Sequence, residues 1–245
     1  MRDIDLYTKS YLNSDFEVYQ VQYRRKKVIE CIKKYSPSSV LEIGCGMNPL
    51  FRDDRLGGIK FTVIEPSIEF YKNAVMLNAD CSNTIINDFF DIHYSNKYAG
   101  GGYDMIICSS LLHEVDSPKE ILNAIRSISL KNTICHINVP NAMSFHRLLA
   151  KESNLISDLH EMSGNNIALQ QSRVFDMNSL SELVETSGFK IVDKGSFFLK
   201  PFTHRQMMEM LKNNVIDTNI LNGLDRMTKY FPEFGSEIYV NITLS

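Results

Sequence analysis

A glycine turn preceded by an acidic residue is the stretch of the sequence best suited to holding a ligand. In VLEIGCGMNPL, Glu42 lies two residues before Gly44-Cys45-Gly46. Glycine permits a tight turn and removes the Cβ atom that would keep a ligand away from the backbone. A second acid, Glu65, follows Gly44 by about 20 residues, the separation at which dinucleotide-binding folds place an acceptor for ribose. The turn is therefore a candidate ligand site.

This turn does not complete either of two widespread nucleotide-binding motifs. Counted from Gly44, the dinucleotide motif G-x-G-x-x-G is broken by Pro49. The phosphate-binding motif G-x-x-x-x-G-K-[ST] is absent because no Gly-Lys-Ser/Thr follows. What remains is an acid two residues before G-x-G.

The apolar pattern predicts the helices and strands that must position this turn. A helix is predicted over 16–35, and a second over 118–128 has Ser117 as its N-cap with Glu120 three residues on. A third helix over 177–187 is stopped by Gly188. Short apolar runs predict strands over 39–43, 60–64, 84–86, 103–108, 133–139, 189–195 and 236–244.

Strands that alternate with helices favour an α/β fold with a parallel sheet, in which ligands bind at the carboxyl ends of the strands. We expect one domain over residues 1–245 with an N-terminal helical segment at 1–37. Two long inserts, 140–175 and 200–235, follow strands whose ends face the ligand, so they are candidate lids or an oligomer interface.

Taken together, the motifs resemble those of the class I S-adenosylmethionine (SAM) dependent methyltransferases. VLEIGCG is similar to their first motif, FTVIEPS and INDFF to the segments after their second and third strands, and YDMIICSSLLHEV to their fourth-strand motif. The resemblance implies a Rossmann-like, mostly parallel sheet of seven strands with helices on both faces and an antiparallel last strand. It also implies SAM as the cofactor.

The resemblance assigns cofactor roles to residues at the strand ends. Backbone at Gly44, Cys45 and Gly46 would pass the methionine portion, with Glu42 organising the turn. Glu65, followed by Pro66, would accept hydrogen bonds from the ribose hydroxyls, since an ionised carboxylate only accepts. The adenine amino group would bind Asp88 beside Phe89, and the ammonium would bind the Ser109 carbonyl. Many relatives have a third glycine where this chain has Asn48, a residue that tolerates positive φ.

Two histidines are candidate general bases for the transfer. His113 in SSLLHEV follows the fourth strand, near where the methyl group should point, and imidazole can accept a proton at neutral pH. His146 in VPNAMSFHRLLA follows the fifth strand, in a stretch that resembles ubiquinone-type and surface-polysaccharide-associated O-methyltransferases. The alternative for His113 is that it only packs over the cofactor. The alternative for His146 is that it belongs to an exposed helical turn.

The inserts carry the candidate acceptor-binding residues. Convergent cations would suit a phosphate or carboxylate, although a charged helix surface is the alternative. An ionised phosphoryl acceptor would need no general base. Asn141 could bind an acceptor or cap a helix, and N-terminal tyrosines could close over the site. The candidates are Tyr23, Asn141, Arg147, Arg173, Lys200, His204 and Arg205.

We therefore expect a small-molecule O-methyltransferase, with N-methylation of a small molecule or nucleotide-linked sugar as the alternative. An NAD(P)-dependent oxidoreductase and a non-catalytic SAM-binding subunit remain open. The formal net charge of −3 argues against nucleic acid as a partner, and the basic run 24–27 is interpreted as a solvated helix face.

The remaining composition suits a cytoplasmic protein. The five cysteines mostly lie in apolar runs without CxxC spacing, which indicates reduced thiols rather than disulfides or a metal site. No continuous apolar segment is long enough to span a bilayer, and the first residues do not resemble a signal peptide. We expect no metal and no membrane partner, and the choice between monomer and homodimer stays open.

Overall fold

A single sheet of seven strands runs through the computed structural model, which describes residues 3–12, 16–94, 97 and 102–245, without the side chains of 7, 10–12, 165 and 168. The strands are β1 Ser39–Ile43, β2 Lys60–Ile64, β3 Thr84–Ile86, β4 Met105–Ser109, β5 Ile134–Pro140, β6 Phe189–Phe197 and β7 Glu237–Leu244. Their spatial order is β3-β2-β1-β4-β5-β7-β6. The first five strands pair in parallel, and β7 is antiparallel to both β5 and β6. The predicted sheet, including its reversed last strand, is confirmed.

Helices cover both faces of this sheet. They are α1 Ile4–Leu12, α2 Glu17–Tyr35, α3 Ile68–Leu77, α4 Pro118–Ile128, α5 Phe145–Glu152, α6 Gly164–Ala168, α7 Met177–Thr186, α8 His204–Lys212 and α9 Thr218–Arg226. On one face Ile32 of α2 packs against Val40 and Phe61, while on the other Leu122 of α4 and Leu180 of α7 pack with Leu41. Burial on both sides explains why the parallel strands read as continuous apolar runs.

The direction of β7 decides where the site can form. Because β7 is antiparallel, its first residue lies at the edge where the parallel strands end, and Glu237 pairs with both Pro140 of β5 and Phe197 of β6. The inserts begin at this same edge, where α5 and α6 belong to the first and α8 and α9 to the second.

Several boundaries differ from the prediction for local reasons. Strand β4 begins at Met105 rather than at residue 103, because the Tyr103 carbonyl accepts a hydrogen bond from Thr133 Oγ1 at 2.7 Å. Strand β6 continues to Phe197 because its ladder with β7 extends that far. Ser117 is the N-cap of α4 as predicted, but its side chain makes no capping hydrogen bond. Pro118 opens the helix, with φ fixed by its ring.

None of the helices in the described ranges is both long and apolar enough to cross a membrane.

Candidate active site

A cavity of about 740 Å³ opens at the edge where the parallel strands end. Its wall includes the turn after β1, the ends of β4 and β5, the start of β7, one side of α2, and residues of both inserts. This volume lies within the range typical of small-molecule sites, roughly 300–1,000 Å³. Of the predicted residues, those on the wall are Glu42, Gly44, Cys45, Gly46, Glu65, Pro66, Phe89, Ser109, His113, Asn141, His146, Arg147, Lys200, His204 and Arg205.

The glycine turn forms an open cradle. Gly44 and Gly46 have φ values of +77° and +55°, a region that glycine adopts without the steric cost of a Cβ atom. A Cβ atom built on Gly44 would meet nothing within 4 Å, so the space in front of the turn is free for a ligand. Glu42 holds the far end of the turn, because its Oε2 accepts from the Leu50 N–H at 2.9 Å. Burial raises the pKa of Glu42 to about 8.

Glu65 joins the end of β2 to this cradle. Its Oε2 accepts from the N–H groups of Cys45 at 2.9 Å and Gly46 at 3.2 Å, and its Oε1 accepts from the Ser67 N–H at 2.9 Å. Burial raises its pKa, and these three backbone hydrogen bonds oppose the rise. An ionised carboxylate offers about four acceptor positions, so capacity remains for a ligand hydroxyl.

Of the two residues predicted to contact adenine, Phe89 lies on the cavity wall and Asp88 does not. Phe89 is on the wall and 46% exposed, so its ring is accessible to a flat ligand. Asp88 is not on the wall, and its carboxylate accepts from the Phe89 N–H at 2.8 Å and pairs with Lys97 Nζ at 2.9 Å. The Asn87 side chain donates to the Glu65 carbonyl, so this loop is tied to β2.

A buried chain of hydrogen bonds positions the end of β4. Asn138 of β5 donates to Ser109 Oγ at 2.9 Å and to His136 Nε2 at 3.1 Å, and its Oδ1 accepts from the Ser110 N–H. His136 Nδ1 lies 2.7 Å from Asn241 Oδ1 of β7. Burial lowers the pKa of His136 to about 4, so the ring is neutral, with Nε2 the acceptor in this network. Asn138 therefore supports the end of β4.

The two predicted bases both lie on the cavity wall. His113 is buried, its carbonyl accepts from the Ser172 N–H at 2.8 Å, and its Nε2 lies 3.7 Å from Glu114 Oε1. Within the described part of the chain, Nδ1 of His146 is buried without a hydrogen-bond partner. Burial, followed by the nearby Lys200 and His204, lowers the pKa of His146 well below its usual value. The ring is therefore neutral.

Two predicted acceptor residues lie off the cavity wall. Tyr23 stacks on Phe198 with ring centroids 4.2 Å apart, and its hydroxyl donates to Asn222 Oδ1 at 3.1 Å. The Arg173 side chain donates to the Asp116 carbonyl at 2.8 Å.

The other predicted acceptor residues lie on the wall, but several make internal contacts. Asn141 donates to the Glu233 and Gly235 carbonyls, which ties the two inserts together. Arg147 donates to the Leu159 and Glu161 carbonyls. Arg205, by contrast, is exposed and has no hydrogen bond or ion pair with any residue that the structure describes.

The end of the cavity that the two inserts line is called the acceptor end below. A buried polar network at this end was not predicted. Arg24 Nε lies 3.0 Å from both carboxylate oxygens of Glu237, and Arg24 NH1 lies 3.0 Å from Glu17 Oε1. Gln20 Nε2 donates to Glu237 Oε1 at 2.9 Å and to Ser236 Oγ at 2.8 Å.

The interpretation of 24–27 as a solvated helix face is wrong for Arg24 and Arg25, whereas Lys26 is exposed. The Arg24 side chain is only 13% exposed, Arg25 donates to the Asn48 and Pro49 carbonyls, and both line the cavity. Lys26 pairs with Asp225 of α9. The signal was the recurrence of polar residues at 17, 20 and 24, which places them on one face of a helix.

Comparison with known proteins identifies the family to which the chain belongs. A family model described as a methyltransferase domain matches residues 19–194. No curated protein matches the chain.

Solved structures with the same fold share little sequence with this chain. The plantazolicin methyltransferase BamL, in complex with a triazolic desmethylPZN analog and SAH, is 15% identical with a TM-score of 0.58, over 98% of this chain and 96% of that chain. Magnesium protoporphyrin IX methyltransferase (ChlM) from Synechocystis PCC 6803 is 13% identical with a TM-score of 0.60, over 98% and 94% of the two chains. The [4+2]-cyclase SpnF is 14% identical with a TM-score of 0.56, over 89% and 80%.

The solved structures show only that the fold is shared. The family model shows more, because it spans most of the chain and includes the glycine turn, Glu65 and the end of β4. The open space before Gly44 and the acceptor capacity of Glu65 fit SAM as the cofactor. The chain belongs to the methyltransferase domain family and is a SAM-dependent methyltransferase of class I fold.

Proposed function

We propose that this protein transfers the methyl group of SAM to an oxygen atom of a small polar metabolite. The observation that carries the proposal is the continuity of the cavity, which extends from the glycine turn at Gly44 to Lys200 and His204 in the second insert. One continuous space can thus hold both a cofactor and an acceptor. SAM, when bound, supplies a methyl group activated by its sulfonium.

The residues of the turn would hold the cofactor by geometry already present. Gly44 and Gly46 leave the backbone accessible to the methionine portion, and Glu65 would accept from the ribose. Phe89 offers an accessible ring for adenine, with Asp88 in the same loop as the predicted partner of its amino group. Ser109 stands at the end of β4, where the Asn138 network fixes the backbone.

The acceptor end suits a small molecule because both inserts contribute to its wall. Arg147 and His146 come from the first insert, and Lys200 and Arg205 from the second. A space of about 740 Å³ suits a small molecule better than a long polymer. Walls from both inserts would also help to hold the reactants in line, which benefits a displacement that depends chiefly on their alignment.

An anionic or phosphorylated acceptor would find its partner in Arg205, whose guanidinium is exposed and makes no hydrogen bond among the described residues. A phosphorylated sugar used in surface-polysaccharide modification is one metabolite of this chemistry. His113 and His146 stay candidate contacts for the reacting hydroxyl, since both are on the wall.

N-methylation remains the second candidate for this cavity. A neutral amine needs no base before it attacks, so products must be identified rather than inferred from turnover. In either case the acceptor would occupy the same end of the cavity.

Calorimetric titration with SAM, and separately with NAD, tests the cofactor part of the proposal. SAM should bind the wild type, and Glu65→Ala should weaken that binding by at least about tenfold, since it removes hydrogen bonds to an ionised group. Glu69→Ala, an exposed acid on α3, is the matched control and should bind as the wild type does. Binding of NAD without SAM would overturn the proposal.

Release of SAH with a panel of sugars, sugar phosphates, phenols and amines tests the acceptor part. Mass spectrometry of the product distinguishes O- from N-methylation. Turnover only with polymers, or only with amines, would contradict small-molecule O-methylation.

A further inference from the structure

We propose that Lys200 is the base that accepts the acceptor's hydroxyl proton during methyl transfer. This inference rests on the proposed function, and it gives Lys200 a different task from the anion contact that its charge alone would predict. The residue lies three positions beyond the end of β6, on the wall of the cavity.

Lys200 is a buried amine that has no partner among the residues that the structure describes. The residue is 5% exposed, and no acceptor or carboxylate of the described residues lies within hydrogen-bond or ion-pair distance of its Nζ. Buried lysines are rare unless they are paired, because removing an ammonium from water is costly. A lysine that faces a cavity in this state is suited to hold and release a proton.

The carboxylates near Lys200 are already engaged by another cation. Glu17 of α2 and Glu237 of β7 both influence Lys200, yet Arg24 lies against both of them. Burial lowers the pKa of Lys200 to about 7, and the two carboxylates oppose this effect. Both forms are therefore populated at neutral pH, and the carboxylates would stabilise the ammonium that forms when the amine takes a proton.

The other charged groups around Lys200 do not compete for this role. From α5 come Arg147 and His146, and from α8 come His204 and Arg205. The pKa of His204, like that of His146, is lowered chiefly by burial and then by Lys200. A histidine whose pKa lies far below neutrality is a weak base, because base strength falls with pKa. The arginines stay charged.

The proposed step conserves atoms and charge. The acceptor oxygen forms a bond to the methyl carbon, the carbon–sulfur bond breaks with its electrons on sulfur, and the hydroxyl proton passes to Lys200 Nζ. The products are a methyl ether, S-adenosylhomocysteine (SAH) and an ammonium, which then loses its proton to solvent.

A base in this position must lie near the sulfonium, and that proximity can be measured without knowing the acceptor. In-line attack and one hydrogen bond place Nζ within roughly 8 Å of the cofactor's positive charge. Protonated Lys200 should therefore disfavour SAM, which is cationic at sulfur, relative to SAH, which is not. The ratio of SAM to SAH affinity should rise by about tenfold from pH 6 to pH 8.5 in the wild type.

The experiment is calorimetric titration of the whole protein with SAM and with SAH across this pH range. Every protein in the series carries Glu42→Gln, because Glu42 also lies on the cavity wall, has a pKa of about 8 and would itself change the ratio as it ionises. In this series the wild type denotes the protein with Lys200 intact. Lys200→Met should give a high ratio that does not change with pH, whereas Lys200→Arg, charged throughout, should give a low constant ratio. Lys190→Met, an exposed lysine on the same strand, should behave as the wild type does. Together these three results would support the proposal.

A ratio that is flat with pH in the wild type, or a rise that persists in Lys200→Met, would overturn the assignment of Lys200 while leaving the methyltransferase proposal intact. Failure of the wild type to bind either SAM or SAH would instead overturn the proposed function, and this inference with it. The two failures are thus distinguishable.

Discussion

Arg24 and Glu237, which are 213 residues apart in sequence, are joined by two hydrogen bonds of 3.0 Å from Arg24 Nε to the two carboxylate oxygens and one of 2.7 Å from NH2. The pair connects α2 to the first residue of β7. Both residues line the cavity, as Lys200 does.

Arg24→Met should destabilise the protein by about 3 kcal/mol, because it leaves two buried carboxylates without their cation. Urea unfolding provides the free energy of unfolding. Arg55→Met is the control, since Arg55 is 53% exposed and pairs with Asp53 at the surface. The control should lose less than about 1 kcal/mol. Equal losses in the two variants would show that the Arg24 pair contributes no more than a surface ion pair.

Gly44→Ala should abolish SAM binding with only a small cost in stability. The backbone there has φ +77°, so any side chain introduces strain of about 1–2 kcal/mol, and the new methyl group would project into the ligand space. Gly58→Ala is a close control, since Gly58 has φ +86°, no atom near its Cβ direction, and no place on the cavity wall.

Both variants should unfold at similarly reduced urea concentrations, whereas only Gly44→Ala should lose SAM affinity in calorimetry. Retained affinity in Gly44→Ala would mean that the cofactor does not pass in front of this turn.

Glu42→Gln should stabilise the protein increasingly as pH rises from 5 to 8. The unfolded carboxyl loses its proton above its usual pKa of 4.5, whereas the buried folded form keeps it until about pH 8. The wild type therefore loses stability across this window, by up to about 1.4 kcal/mol per pH unit from this group.

Glutamine removes the titration yet can keep an oxygen for the Leu50 N–H. Urea unfolding of both proteins at pH 5, 6, 7 and 8 gives the difference. A difference that does not vary with pH would contradict the raised pKa.

Asn138→Ala should cost about 2–3 kcal/mol and weaken SAM binding, because it breaks the network at Ser109, Ser110 and His136 and leaves buried polar groups unpaired. Asn132→Ala, an exposed position before β5, should be nearly neutral. The paired measurements are thermal unfolding with and without SAM. Should Asn138→Ala match the control in both, the network would have no role in holding the end of β4.

The scaffold and the cofactor turn could be predicted because their signals are local in sequence. Strand β1 and helix α4 were predicted to the residue, since a buried strand reads as an apolar run and an amphipathic helix as a repeating stripe. The turn at Gly44 follows β1, and the acid at Glu65 follows β2, the next strand along the chain.

The acceptor end could not be predicted in the same way because its contacts are between distant residues. The periodicity of 16–35 predicted a helix but did not show that Arg24 faces inward, which depends on a carboxylate in β7. For the same reason Glu17, Gln20 and Glu237 were missed. Tyr23 and Arg173 were predicted from residue type alone. In the structure Tyr23 stacks on Phe198 and Arg173 donates to the Asp116 carbonyl, so neither lies on the cavity wall.

The position of β7 between β5 and β6 has a consequence for how the site arises during synthesis. Residues from Glu42 to Glu65 can form the cofactor cradle as soon as β1 and β2 pair, by contacts between near neighbours. The acceptor end of the cavity needs Glu237, so it stays incomplete until the ribosome has released the chain as far as β7 and the long loop between Arg24 and Glu237 has closed. Mutations that change which acceptor is methylated therefore act on a part of the molecule that forms late. The cofactor cradle, which forms early, can stay unchanged while acceptor specificity changes.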